Sequence, residues 1–187
     1  MAPAIRRGRG FAQADDGVTV IEFAILAVPF FTIVGAILET ALVFFATQVL
    51  DSAVEDASRI IKTGQAQATA DYDLEDFRSL MCSYTFGLFG DCSAIKLQIK
   101  PISNFSSASF MAGLTTCTPP PDPTCEITMP EDWTPGEGGT VIQVFAYYRW
   151  PLLLNLPYFN LRNQPDNYRL LGATRVFRNE PFQSDLT

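Results

Sequence analysis

The chain has 187 residues, room for one domain and an appendage. Its 13 basic residues are outnumbered by 20 acidic ones, a net charge of −7, which leaves a nucleic-acid partner without electrostatic footing. There is no histidine, which removes the usual general base, the Ser-His and Cys-His nucleophile pairs and imidazole metal ligands; an ordinary enzyme is not expected, nor a cofactor.

Residues 1–17 form a short polar leader with Arg6, Arg7 and Arg9. The next 33 residues, 18–50, hold only two charges, Glu22 and Glu39, and residues 23–38 hold none. A bilayer core of about 30 Å needs about 20 apolar residues as a helix, so this helix crosses a membrane and continues beyond it. A cleaved secretory signal would have only about 7–15 apolar residues followed by a small-residue site. The apolar segment is therefore expected to stay. Three arginines before it against Arg59 and Lys62 after it put the N-terminus in the cytoplasm. All four cysteines (Cys82, Cys92, Cys117 and Cys125) follow the membrane segment, where an oxidising compartment would pair them. Residues 51–187 are read as extracytoplasmic.

A carboxylate inside hydrocarbon costs about 2.5–3.5 kcal/mol on insertion scales and usually has a partner, which singles out Glu22. Glu39, about 26 Å further along the helix, is expected near the outer interface and solvated. Pro29 removes a backbone hydrogen bond and is expected to kink the axis. Small residues (Ala24, Ala27, Gly35, Ala36, Ala41, Ala46) would permit close helix approach.

The junction Gly17-Val18-Thr19-Val20-Ile21-Glu22-Phe23 resembles the type IV prepilin cleavage pattern, and more narrowly the TadE-like pseudopilins of tight-adherence (Flp) pilus systems. The resemblance implies that a membrane prepilin peptidase cuts after Gly17 and that Val18 becomes the new N-terminus. Glu22 is then the fifth mature residue, and it sets subunit register by meeting an α-amine.

Beyond Leu50 the apolar stripe continues through Val43, Leu50, Val54, Ala57 and Ile61 at helical spacing. Glu55 and Arg59 stand four apart in the favourable order, and Gly64 suits a left-handed cap. One helix from about Asp16 to Thr63 would be about 70 Å long, half lipid-facing and half amphipathic. After the polar link 65–70, a second helix is expected with Asp71 or Asp73 as cap and Leu74, Phe77, Leu80 and Met81 on its buried face. The acidic cluster Asp71, Asp73, Glu75 and Asp76 reads as a charged first turn; it lacks the glycine and distal glutamate of a calcium loop.

Three strands follow. In the first, Ile95, Leu97 and Ile99 face inward and Pro101 ends the run; the second and third cover residues 140–150 and 170–178. Antiparallel pairing is the default, giving an α+β fold with the long helix packed on a small sheet. Residues 103–139, rich in Ser, Thr and Pro, are expected to be an irregular surface loop. The two short closures, Cys82 with Cys92 and Cys117 with Cys125, are favoured among three connectivities. Without Cys-x-x-Cys or histidine, no metal site is expected. Trp133 and Trp150 read as core or rim packing.

Three further blocks, at residues 81–99, 147–154 and 174–182, also look like TadE-like proteins, the last ending in Asn179-Glu180-Pro181. The resemblance implies a structural minor pilin or pseudopilin in a bacterial inner membrane, with prepilin peptidase, other pilins and assembly machinery as partners. A permanently anchored assembly factor, or an uncleaved binding or sensor domain, would share this sequence pattern.

Overall fold

The computed structural model describes residues 16–109, 129–155 and 160–182, with side chains from Thr19 onward. Helix α1 (Asp16–Lys62) is unbroken over 47 residues and runs through Pro29. It ends where expected: Gly64 takes a left-handed φ of 78° and donates its N–H to the Ile61 carbonyl. The link that follows is not wholly irregular, since α2 (Gln65–Ala68) makes one more helical turn. Helix α3 (Leu74–Ser83) is capped by Asp73, not Asp71. The Asp73 carboxylate accepts from the Glu75 and Asp76 amides, and Asp76 reaches back to the Asp73 amide. Two members of the acidic cluster are thus occupied as a capping box. Phe77 and Met81 are fully buried as expected, while Leu74 and Leu80 are half-buried.

The sheet has four strands in the order β2-β1-β3-β4, built from β1 (Lys96–Ile102), β2 (Asp132–Trp133), β3 (Val141–Pro151) and β4 (Tyr168–Arg178). β3 pairs antiparallel with β1 and, over eleven residues, with β4. The expectation of a purely antiparallel three-stranded sheet needs correcting, because β2 lies parallel to β1, with Gln98 opposite Asp132 and Ile99 opposite Trp133. These two residues fall inside the segment read as irregular loop. Trp133 draws them in, packing its ring against Tyr72 and Phe77 at 5.8 and 5.6 Å between centroids. Pro101 does not end β1. The Ile99 carbonyl accepts from the Thr134 amide; two residues on, the Pro101 nitrogen therefore points to that same side, where β2 has already stopped and no ladder bond is lost.

The core lies between α1 and one face of the sheet. Val43, Ala46, Leu50, Ala53, Val54, Ala57 and Ile61 pack against Leu97, Ile99, Ile142, Val144, Ala146, Leu171 and Ala173. Each fully buried Leu or Ile contributes about 1.5–3 kcal/mol. The opposite face of β3 is buried too: Phe145 and Tyr147 cluster with Met129 and half-buried Leu170, and the Gln143 amide donates to the Ser109 carbonyl at 2.8 Å. Ser109 and Met129, on either side of residues 110–128, thus both lie on the far face of the sheet. This explains why β3 reads as a nearly continuous apolar run rather than an alternating one.

Candidate functional site

The N-terminal half of α1 carries the chemistry that the sequence singled out. From Val20 to Phe45 most of its large apolar side chains stand exposed, among them Phe23, Val28, Phe31, Ile37 and Phe44. The helix is long and apolar enough to cross a membrane. Thr32, Thr40 and Thr47 turn their hydroxyls back to the carbonyls of Val28, Ala36 and Val43, at 2.7, 2.7 and 2.8 Å. These polar groups are thereby satisfied within the helix, as hydrocarbon requires.

Glu22 projects from the exposed part of α1, and no partner meets it among the described residues. Gly17 and Val18 lie within the first turns of the helix. The Val18 position is four residues from Glu22, about 6 Å along the axis, so a charge placed there would stand one turn away.

Glu39 behaves otherwise than expected. It is 6% exposed rather than solvated. Its Oε1 accepts the amides of Leu153, at 2.5 Å, and of Leu154, at 2.9 Å, from the turn that follows β3. Nothing local in the sequence marks this contact, which spans more than a hundred residues. Two of the small residues are also claimed by the chain itself. Ala46 lies in the core, and a methyl group on Gly35 would stand 3.0 Å from Leu154 Cδ1.

Further out, the sheet grips α1 through charge. Arg175 forks onto Asp51 at 2.6 and 2.7 Å and reaches Glu55 at 3.1 Å; its charged form is favoured chiefly by the bond to Asp51. Glu55, expected beside Arg59, thus bonds β4. Between α1 and β4 a groove of about 450 Å³ is lined by Glu55, Arg59, Lys62, Arg175 and Glu180. Its one hydroxyl deep in the helix face, Ser58, is bonded to the Val54 carbonyl at 2.6 Å and is not available as a nucleophile.

Cys82 and Cys92 form a disulfide, closing a loop of ten residues' separation with Cα atoms 6.0 Å apart. Cys117 and Cys125 lie outside the described residues. Inside the closed loop Phe89 packs edge-on against Tyr148 and Trp150, so both tryptophans serve packing. A residue that no local pattern marks is Arg78, buried on α3. It donates to the Ile95 carbonyl and to Glu131, and also pairs with Glu75, tying α3 to β1 and to the approach to β2. Among the described residues no group of three or more acidic or cysteine side chains is placed to hold a metal ion.

A long helix with a bare apolar half, clasped along its other half by a small mixed sheet, defines an α+β protein with one candidate membrane anchor and a folded head. Residues 17–59 match the model of the TadE-like protein family. The match covers the junction with Gly17, Val18 and Glu22, the bare half of α1, and most of its clasped half. No curated protein and no solved structure matches the chain.

Proposed function

We propose that this chain is a structural minor pilin or pseudopilin of a tight-adherence pilus, anchored by α1 in the bacterial inner membrane with residues 1–17 cytoplasmic and the sheet domain outside. A prepilin peptidase cuts after Gly17, and the α-amine released on Val18 neutralises Glu22 on the same or a neighbouring subunit, fixing register as helices pack. The observation that carries this reading is the carboxylate of Glu22, without a partner among the described residues, on an exposed apolar helix whose residues 17–59 match the TadE-like family. Pairing with an ammonium is the direct way to lift the cost of an anion in hydrocarbon.

Intact-mass measurement of the protein purified from its membrane tests the processing step: loss of residues 1–17 is expected, and a full-length mass overturns it. Glu22→Ala is expected to insert normally yet fail to support piliation. Normal piliation by that variant refutes the register role. Recovery of the chain in sheared pili is expected for a pilin, whereas retention in the membrane alone marks a permanently anchored assembly factor.

A further inference from the structure

We propose that the turn after β3, residues 152–154, is a second membrane-seated element, dipping Leu153 into the acyl chains of the outer leaflet beside α1. The inference rests on α1 spanning the bilayer as proposed above. Exposed apolar side chains run along α1 from Val20 to Phe45. Glu39 stands six residues inside the outer edge of that belt, about 9 Å, and Gly35 lies about 6 Å deeper still. The turn is pinned at this depth, its Leu153 and Leu154 amides on the Glu39 carboxylate and its Leu154 side chain against Gly35.

Backbone at hydrocarbon depth needs its polar groups met inside the protein, and here all three leucine amides and the Leu152 carbonyl are. Glu39 takes the two amides, the Leu152 amide donates to the Asn167 carbonyl at 3.0 Å, and the Asn167 side-chain amide donates to the Leu152 carbonyl at 2.8 Å. The same amide reaches the Leu154 carbonyl at 3.5 Å. Leu153, by contrast, points its side chain outward and is 78% exposed. A turn that satisfies its leucine amides internally and presents Leu153 outward, level with an apolar belt, suits lipid. Glu39 acts here as a positioning residue. Its charge is spent on the turn's amides, and the turn in turn shields it from hydrocarbon.

The test uses the full-length protein with Cys82–Cys92 oxidised and Cys117 and Cys125 replaced by serine, in phosphatidylcholine vesicles, with one spin-labelled cysteine at a time. Leu153→Cys is compared with Ile37→Cys on the exposed helix face and with Ser79→Cys on the exposed face of α3. Relaxation by oxygen, which partitions into hydrocarbon, is read against relaxation by a water-soluble nickel chelate. The oxygen-to-nickel ratio at 153 is expected to lie close to that at 37 and several-fold above that at 79. Adding Glu39→Ala is expected to drop the ratio at 153 toward the value at 79, while Glu39→Gln, which keeps an acceptor oxygen in place, retains most of it. An aqueous reading at 153 with a lipid reading at 37 overturns the proposal. So does a label at 153 shielded from both reagents, the signature of a neighbouring protein chain. An unchanged ratio in Glu39→Ala removes the carboxylate from the positioning role. An aqueous reading at 37 itself refutes the spanning helix, and the seat of the turn falls with it.

Discussion

Asn179 is 2% exposed and closes the end of the sheet domain farthest from Glu39 along β3. Its amide nitrogen donates to the carbonyls of Pro135 at 3.0 Å and Glu137 at 3.1 Å, while its backbone bonds Thr140 and Gly139. Its side-chain oxygen is buried without a partner. Asn179→Ala deletes two sound hydrogen bonds, each worth about 1 kcal/mol net, and removes one unsatisfied acceptor, while the Pro135 carbonyl keeps the Gln67 side-chain amide and the Glu137 carbonyl keeps the Thr140 amide and hydroxyl. These terms leave about 2 kcal/mol of destabilisation, or about 6 °C in Tm for a chain of this size. Asn179→Asp is the sharper probe. It keeps the shape but points an acceptor at two carbonyls, so at neutral pH it is expected to be worse than alanine. Burial and the facing carbonyls hold the new carboxyl above its ordinary value of about 3.9. Stability is therefore fully recovered below that ordinary value, where the protonated acid can donate, still partly present just above it, and lost as pH rises through the raised value. The assay is thermal unfolding of the full-length protein in detergent, followed by circular dichroism at pH 4 and pH 7 against wild type at each pH. An aspartate variant milder than alanine at pH 7 refutes the assignment of the side-chain nitrogen as the donor.

Other consequences are equally open to measurement. Burial, then Asp76 and Asp73, push the Tyr72 hydroxyl up to about 12, and burial also raises Tyr147 and Tyr148, so tyrosinate absorbance should show a late rise that Tyr72→Phe diminishes. The stability tied to this group is complete below about pH 10, its ordinary value, and is lost as pH climbs toward 12. Replacing both Cys82 and Cys92 by serine should cost about 3 kcal/mol from the reopened loop, read as a lower Tm. At Gly138 a methyl group would stand 2.4 Å from the Phe182 carbonyl oxygen and 2.8 Å from its nitrogen. Gly138→Ala is expected to cost about 1–3 kcal/mol through displacement of that backbone, and an unchanged Tm would contradict the packing.

The parts of the fold visible in the sequence are those whose signal is periodic or local. The stripe from Val43 to Ile61 announces a helix face at helical spacing, and every member is buried. Ile95, Leu97 and Ile99 announce a strand by alternation and are likewise fully buried. Gly64 and Asp73 mark a helix end and a helix start through their own backbone chemistry. What stayed hidden depends on partners far along the chain. The choice of Asp73 over Asp71 needs the Asp76 reciprocal bond, β2 needs Trp133 to find Tyr72 and Phe77, and Arg78 needs Ile95 and Glu131. Glu39 is the clearest case. By position on the helix it should face water, and only the folded-back turn after β3 supplies the amides that bury it. Of the candidate site, Glu22 was legible because a lone charge in an apolar run is costly wherever the chain folds. The fate of Glu39 was not, because its burial is decided by tertiary structure.

The clasp between α1 and β4 also bears on the order of events during synthesis. Asp51 and its guanidinium partner on β4 are separated by 124 positions. When α1 first emerges, its stripe has nothing to cover it, and contacts of such long sequence separation form slowly. Until the intervening chain has been made, the greasy flank of the rod stays naked and ready to stick to any passing surface. That exposure ends only when the last strand zips home.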